Sequence, residues 1–255
     1  MGLFDWIKGE KVLYYPGCLT KGVLKKEFEN YKEIFNRLGI DFVMFPDKEV
    51  CCGLPILNAG YGKDAKKLAV KNFKLFKERG VDKIITNCPS CFHVFRDVYP
   101  KLVRDWDIEV EHATVVILRA LRNKKLRWKG SEEDREVVGY HDPCHLGRYC
   151  GVYEEPREVV RLLGGKILES RFNREGALCC GGGGGVRANF EKLAKDVGKE
   201  RVKTLIASRD SGFGIRDSVS KIISPCGLCY ANLKSVSDKS VEFSSFVLGK
   251  LRGMR

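Results

Sequence analysis

Several features of ordinary proteins are missing from this sequence, and each absence narrows what the chain can be. No apolar run approaches the ~20 residues that a membrane-spanning helix requires, so we expect no direct insertion into a membrane. Residues 1–8 lack the long apolar stretch of a secretory signal peptide. These absences favour a cytoplasmic protein, in which any association with a membrane runs through partner subunits.

Glutamine is absent altogether, whereas lysine, arginine and glutamate are abundant. A scarcity of thermolabile amides together with many charged side chains is typical of thermophiles. The net charge is +13, but the basic residues are spread along the chain and no nucleic-acid-binding module accompanies them. The charge therefore favours an acidic protein partner or an anionic substrate, and we expect no binding to nucleic acid.

Cysteine, in contrast, is plentiful, and ten of the eleven cysteines fall into two copies of one pattern. Each copy contains a single cysteine, a Cys-Cys-Gly element and a Cys-x-x-Cys pair. The first copy is Cys18, Cys51, Cys52, Cys88 and Cys91, and the second is Cys144, Cys179, Cys180, Cys226 and Cys229. Five thiols are one more than a tetrahedral zinc site uses. They suit a cluster of several irons, each of which needs thiolate ligands.

Other uses of cysteine explain the pattern less well. A disulfide framework is typical of small secreted domains, whereas 255 residues can bury a core without such cross-links. Two zinc sites or two thioredoxin-like redox pairs would use the Cys-x-x-Cys elements. Those alternatives leave Cys18, Cys144 and both Cys-Cys-Gly elements unexplained.

The cysteine repeat extends into its surroundings. The seven residues that end at Cys18 parallel the seven that end at Cys144, at an offset of 126 residues (144 − 18). A repeat of this kind indicates a duplicated unit, so we expect one half over residues 1–125 and another over 126–255, joined by the basic stretch 122–136. The second copy has 45 residues between its last two cysteine elements and the first has 35, which a surface-loop insertion around residues 209–217 would explain.

Each half alternates short apolar runs, which predict strands, with longer stretches that have helical spacing. The strands are predicted at residues 11–15, 40–45, 82–86, 136–141, 166–169 and 221–224, and the helices at 23–38, 63–79, 154–163 and 187–207. This alternation is typical of parallel sheets. We therefore expect an α/β fold of two duplicated units with mostly parallel sheets, related by pseudo-twofold symmetry.

Every cysteine element follows a predicted strand, and ligands of open parallel sheets collect at the carboxyl ends of strands. Glycines beside the cysteines, namely Gly53, Gly181 and Gly182, let the backbone approach a bound group closely. The run of five glycines from Gly181 resembles a phosphate loop, but Val186-Arg187 follows it instead of Lys-Ser or Lys-Thr. We therefore expect its amides to face a metal cluster.

The motifs resemble those of the CCG, or cysteine-rich domain, family. The resemblance is carried by Tyr-Pro-Gly-Cys, Cys-Cys-Gly-Leu-Pro, Asn-Cys-Pro-Ser-Cys, His-Asp-Pro-Cys-His, Cys-Cys-Gly-Gly-Gly and Pro-Cys-Gly-Leu-Cys. That family includes the catalytic B-type subunit of heterodisulfide reductase and the matching half of its D-type subunit. It also includes iron–sulfur subunits of systems that oxidise lactate, glycolate or glycerol 3-phosphate.

The resemblance implies that each set of five cysteines holds a noncubane [4Fe-4S] cluster; the alternative is one cluster plus a zinc ion. It implies an oxidoreductase subunit that performs disulfide/dithiol chemistry on an anionic small-molecule disulfide. Because the sequence lacks the ferredoxin-like cysteine runs of the D-type subunit, a ferredoxin-type iron–sulfur subunit, a flavoprotein subunit or both would supply electrons. The alternative function is electron transfer alone, in a flavin-dependent 2-hydroxy acid or glycerol 3-phosphate oxidising system.

Four further residues are candidates for work at the reacting centre. His141 and His145 flank Cys144 and suit proton delivery near neutral pH, although packing roles would explain them equally well. Arg148 and Arg187 are candidates for binding an anionic substrate, with surface ion pairs as the alternative. Cys150 lies outside both copies, and we expect a small buried thiol there.

Overall fold

The part of the chain that the structure describes contains two sheets, both made of parallel strands. The computed structural model describes residues 10–45, 50–206 and 219–253, so the predicted insertion at 209–217 lies outside the described residues. The first sheet has the strand order β1-β2-β3 and the second β5-β4-β6-β7. The strands are β1 (Val12–Tyr14), β2 (Lys83–Thr86), β3 (Glu109–His112), β4 (Glu136–Tyr140), β5 (Gly165–Leu168), β6 (Lys221–Ser224) and β7 (Ser240–Glu242). The predicted α/β class with parallel sheets is confirmed.

Helices connect the strands. They are α1 (Cys18–Gly22), α2 (Lys25–Leu38), α3 (Leu54–Asn58), α4 (Gly62–Glu78), α5 (Pro89–His93), α6 (Tyr99–Leu102), α7 (Ala113–Asn123), α8 (Glu154–Leu162), α9 (Val186–Asn189), α10 (Glu191–Ile206), α11 (Gly227–Lys234) and α12 (Phe243–Gly253). A π-helical turn at Val94–Val98 joins α5 to α6, and a 3₁₀ turn lies at Arg174–Gly176. Helix α2 shows why the helices could be predicted from apolar spacing and terminal glycines. Its apolar face is buried, and Gly39 ends it in the left-handed conformation, at φ 63°.

Two predictions differ from the structure, and several elements were not predicted at all. The strand predicted at 40–45 is reduced to one bridge, in which Val43 pairs beside Leu13 at the edge of the first sheet. The helix predicted from residue 187 is interrupted at Phe190, whose φ of −139° lies outside the helical range. Strands β3 and β7 and helices α7 and α12 were not predicted. Strand β3 reads Glu-Val-Glu-His, and its carboxylates are tolerated because Glu111 pairs with Lys83 and Arg119.

The two halves pack through equivalent elements. Helix α2 of the first half packs against α12 of the second, while α8 of the second packs against α7 of the first. The segment after Cys144 contacts Phe92 of α5, and Leu24 at the start of α2 lies against Gly227 of α11. This reciprocal exchange is the relation that a pseudo-twofold axis between duplicated units produces.

The sheets bring the cysteine elements together. Cys18 and Cys88 follow the neighbouring strands β1 and β2, while Cys144 and Cys226 follow β4 and β6, which are also neighbours. Because the strands are parallel, the two elements of each pair emerge at the same sheet edge. Among the described residues, no helix is both long and apolar enough to cross a membrane.

Candidate functional site

The first five motif cysteines form one continuous group, here called the first thiol cluster. Hydrogen-bond contacts between their thiols run in the order Cys18–Cys51–Cys52–Cys91–Cys88. The cluster has two buried thiols, at Cys52 and Cys91, and one exposed thiol, at Cys18.

Two glycines let the backbone lie against this cluster. Gly17 has φ 78°, and a Cβ atom there would lie 3.1 Å from Cβ of Cys88 and 3.2 Å from Sγ of Cys91. Gly53 has φ 91° and donates its N–H to Sγ of Cys51 over 3.4 Å. Both positions therefore favour glycine, and Gly17 also keeps the space beside the sulfur atoms open.

Neutral side chains support the Cys-Cys turn from behind. Asn72, which is fully buried on α4, donates through Nδ2 to the carbonyl oxygen of Cys51 at 3.1 Å and to the Tyr99 hydroxyl at 2.8 Å. Tyr99 in turn donates to the carbonyl oxygen of Cys52 at 3.1 Å. These bonds orient the two adjacent thiols without adding any charge.

The thiols of the first cluster perturb one another strongly. A hydrogen bond to Cys51, with burial and the nearby Cys88, raises the pKa of Cys52 to about 12, although the hydrogen bond to Cys91 opposes the shift. The hydrogen bond from Cys91 lowers the pKa of Cys88 to about 7. Among the described residues, no basic side chain is a main cause of these shifts. Five thiolates cannot accumulate here without a bound cationic group to neutralise them.

The other five motif cysteines form the second thiol cluster. Thiol contacts run Cys179–Cys180–Cys229–Cys226, and Cys144 lies near enough to Cys180 and Cys226 for both to raise its pKa, after burial. The most accessible thiol of this cluster is Cys179, which is exposed, whereas Cys144 is half-buried.

The glycine run contacts the second cluster through its amides. Gly181 donates its N–H to Sγ of Cys179 and Gly182 donates to Sγ of Cys180, both over 3.3 Å. A Cβ atom on Gly181 would lie 2.5 Å from the carbonyl oxygen of Ala194. Asn232 fixes the same turn, because its Nδ2 donates to the carbonyl oxygens of Cys180 at 2.7 Å and Ala194 at 2.8 Å. The amides thus face sulfur, as expected for a loop that holds a metal cluster rather than a phosphate.

His141 lies against the second cluster. One of its ring nitrogens lies within 4.8 Å of the Sγ atoms of Cys180 and Cys229. Its Nδ1 accepts a hydrogen bond of 3.0 Å from Nε of Arg201, which leaves the proton of the neutral ring on Nε2. Nε2 makes no close hydrogen bond within the described ranges, but the ring interacts with the thiol of Cys180. Burial lowers the pKa of His141, so the ring is a neutral donor next to sulfur.

His145 lies on the accessible side of the same cluster. Its Nδ1 is 3.5 Å from Sγ of Cys144, and its ring stacks on Tyr149 at a centroid distance of 4.8 Å. His93 from the first half lies beside both rings and is paired with Asp97 at 3.0 Å. The sequence did not indicate this contact between the halves.

The two candidate arginines have different surroundings. Arg148 donates through one nitrogen to the carbonyl oxygens of Glu175 at 3.2 Å and Ala177 at 2.8 Å, so part of its guanidinium holds the loop before Cys179. Arg187 follows the glycine run on α9, and its buried NH1 has no hydrogen-bond partner among the described residues. Arg187 is therefore the better placed of the two to receive an anion.

Cys150 belongs to neither thiol cluster. It is 8% exposed and packs with Phe92, Leu146 and Val152. Burial raises the pKa of its thiol to about 12, and an unreactive buried thiol has this character. Its Sγ approaches His93 and Asp97, but Asp97 is already paired with Arg96 through both oxygens.

The donor sets fit iron–sulfur clusters. Each pocket offers five thiols and backbone N–H groups aimed at sulfur, and all eleven cysteines are free. Oxygen ligands suited to magnesium or calcium are not part of either set. A tetrahedral zinc ion would leave at least one thiol of each set without a metal.

Five supporting residues were missed by sequence reasoning: Gly17, Asn72, Tyr99, Arg201 and Asn232. Gly17 could have been found, since it directly precedes a motif cysteine. The other four lie on helices far along the chain from the cysteines that they contact, and no spacing rule connects them.

Both halves of this chain are similar to proteins of a known family. The model of the cysteine-rich domain family CCG matches residues 12–96 and 138–234. The D-type subunit of dihydromethanophenazine:CoB–CoM heterodisulfide reductase from Methanosarcina acetivorans is 33% identical over 89% of this chain and 54% of its own length.

Two bacterial proteins are also similar. EtfAB:quinone oxidoreductase of Syntrophomonas wolfei subsp. wolfei is 33% identical over 68% of this chain and 24% of its own length. Probable iron-sulfur-binding oxidoreductase FadF of Bacillus subtilis is 31% identical over 71% of this chain and 25% of its own length. The chain thus spans about half of the heterodisulfide reductase relative and about a quarter of the other two.

Proposed function

Because the chain belongs to the CCG cysteine-rich domain family, whose relatives are iron–sulfur oxidoreductases, we propose that it is the disulfide-reducing subunit of a heterodisulfide reductase-like complex. In this proposal each thiol cluster holds one noncubane [4Fe-4S] cluster. The reaction is the reduction of an anionic disulfide by two electrons and two protons to give two thiols. The electrons come from a ferredoxin-type or flavoprotein partner and the protons from solvent.

One observation carries the proposal: the ten motif cysteines form two separate pockets of five thiols, each with amides aimed at sulfur. When bound, an iron–sulfur cluster supplies one-electron transfer and iron that has affinity for sulfur. Two such sites in one chain match the two electrons that a disulfide requires. A single relay site would need only one pocket.

In this proposal, residues of the second half have roles in binding substrate and donating protons. Arg187, with its unpartnered NH1, would bind an anionic group of the disulfide. His145, 3.5 Å from the half-buried thiol of Cys144, would donate a proton to a thiolate product. His141 is fully enclosed and would hold sulfur ligands in place rather than meet substrate.

Helix α4 of the first half is suited to an acidic partner. Lys63, Lys66, Lys71 and Lys74 are exposed on it, and none forms an ion pair with the described residues. The helix begins four residues after α3 ends, close behind Gly53 and the first thiol cluster. An acidic electron donor that docked here would approach that cluster.

The first test is metal analysis of anaerobically prepared protein. We expect about eight irons and a matching amount of acid-labile sulfide per chain. Two zinc ions without sulfide would refute the proposal, and four irons with one zinc would favour the alternative of one cluster plus zinc.

Electron transfer without substrate chemistry is the second candidate function. It is favoured by the likeness to EtfAB:quinone oxidoreductase, whose name describes electron transfer from a flavoprotein to a quinone. The two functions are separated by supplying an artificial one-electron donor and a panel of anionic disulfides. Release of two thiols per disulfide supports the reductase, whereas intact disulfides together with rapid reduction of protein acceptors support the relay.

A further inference from the structure

The second thiol cluster has a buried cation beside it. Arg201 on α10 is 0% exposed, and its guanidinium lies near enough to the thiols of Cys180 and Cys229 to interact electrostatically with both. Its Nε donates to His141 at 3.0 Å and its NH1 donates to the carbonyl oxygen of Phe172 at 2.7 Å. Its NH2 is buried without a hydrogen-bond partner within the described ranges.

This charge is not balanced by a dedicated carboxylate. Asp142 is the carboxylate that interacts with Arg201, but both oxygens of Asp142 accept hydrogen bonds from Arg157, at 2.6 and 2.8 Å. Arg157 is also paired with Glu169. The positive charge of Arg201 is therefore free to act on whatever occupies the second cluster.

The equivalent position in the first half is neutral. Gly53 lies against the carbonyl oxygen of Ala65, and Gly181 lies against that of Ala194, so α4 and α10 are equivalent at an offset of 129 residues (194 − 65). The same offset relates Asn72 to Arg201 (201 − 72 = 129). Both side chains are fully buried and support the cysteines of their own half.

From this asymmetry, and given the proposed pair of iron–sulfur clusters, we infer that Arg201 is a positioning residue that raises the reduction potential of the second cluster above that of the first. Reduction adds a negative charge to a cluster, and a buried cation stabilises the reduced form more than a neutral amide does. His141 extends the effect because Arg201 holds its Nε2–H toward the thiols, and hydrogen bonds to sulfur raise cluster potentials. Electrons that enter at the first cluster are then drawn to the second.

The experiment is an anaerobic redox titration of the loaded full-length chain, followed by electron paramagnetic resonance. Signals are assigned with Cys52→Ser, which keeps the second cluster, and Cys180→Ser, which keeps the first. In the Cys52→Ser background we expect Arg201→Met to shift the one-electron reduction equilibrium of the second cluster at least tenfold toward the oxidised form, which is 59 mV for one electron. Arg201→Lys, which keeps the charge, should recover most of the shift.

The matched control is Lys203→Met, which removes one positive charge from the same helix at an exposed position and should leave both potentials unchanged. A second cluster that stays loaded in Arg201→Met with an unchanged potential would overturn the inference. If Arg201→Met loses its iron, the neutral, hydrogen-bonding variant Arg201→Gln decides the matter, since a loaded second cluster with an unchanged potential in that variant contradicts the inference. Failure of the wild-type chain to bind iron and sulfide would instead contradict the proposed function.

Discussion

The two halves of this chain hold the same five-thiol pattern in different electrostatic surroundings. The first thiol cluster is backed by the neutral pair Asn72 and Tyr99. The second is backed by His141 and the cation of Arg201. Duplication thus preserved the thiols and the amides that face them, while the residues behind the thiols diverged. In the proposed function, the thiols determine which group binds, and the residues behind them determine how readily that group accepts an electron.

The largest effect that separates the halves should come from removing one ligand of each. Cys52→Ser and Cys180→Ser should each lose about half of the bound iron, because a hydroxyl is a far poorer iron ligand than a thiolate. Iron and sulfide analysis, with spectra of the remaining cluster, measures this. Cys150→Ser should keep all of the iron, and loss of iron from that variant would show that the ligands are wrongly assigned.

Glycine replacement should distinguish the two Cys-Cys-Gly turns by stability. Gly53→Ala should lower the free energy of unfolding by about 1–2 kcal/mol, because φ at this position is positive. No steric clash adds to this loss, since the nearest atom to the new Cβ is 3.8 Å away. Gly181→Ala has the same conformational strain and also places Cβ 2.5 Å from a backbone oxygen, which adds about 1–3 kcal/mol. Denaturant unfolding of the two variants measures the difference. Equal losses would contradict the tighter packing of the second turn.

Two equivalent glutamates on β3 and β7 should respond to pH in opposite directions. Glu242 is buried near Glu27 and accepts hydrogen bonds from Tyr31 and Ser244; burial raises its pKa from 4.5 to about 7. The folded state therefore keeps its proton longer than the unfolded state. The contribution of Glu242 to the free energy of unfolding is fully present below pH 4.5. It falls by about 3 kcal/mol as the pH rises to about 7. Glu242→Gln should remove this slope in unfolding measurements made across that range.

Glu111 is the matched control for Glu242. Although burial opposes the shift, Arg119 and Lys83 lower the pKa of its carboxyl below the ordinary value. Its contribution to stability is present above the unfolded pKa and is lost as pH falls through the folded pKa. Glu111→Gln should therefore cost stability at neutral pH and little in acid. The same pH slope in both variants would contradict the assignment.

The smallest expected effect concerns the helices that follow the two Cys-Cys-Gly turns. Lysines on α10 are paired within their helix, as in Lys195–Glu191 and Lys199–Asp196, whereas Lys66 and Lys71 on α4 have no such partners among the described residues. Reversing charge with Lys71→Glu should slow reduction by an acidic protein donor several-fold at low salt, and the loss should shrink as salt rises. Lys199→Glu should change the rate less. Stopped-flow kinetics with both variants tests the docking face.

Local patterns determined much of the fold. The strands at 136–141 and 221–224 and the helices at 23–38 and 63–79 were predictable because apolar periodicity and terminal glycines are local signals. A full strand was predicted at 40–45, but the structure has only a single bridge to β1 there, which leaves most of the backbone of this segment unpaired with the sheet. Strands β3 and β7 were missed because runs of three or four residues that contain glutamate resemble loops until their partner strands are known.

By itself, the sequence determined the duplicated thiol pattern and its association with strand ends, because cysteine spacing and strand–helix alternation can be read from neighbouring residues. Only the tertiary structure decided what surrounds each cluster. Arg201 is 60 residues from His141 along the chain, and their contact depends on how α10 packs over the second sheet. The sequence did not indicate that Asn72 and Arg201 are equivalent, because the offset between the two repeats is not constant. It is 126 residues at the first cysteine of each copy and 129 residues on helices α4 and α10. Electrostatics acts through space, so the charge that distinguishes the two clusters appears only when the helices are in place.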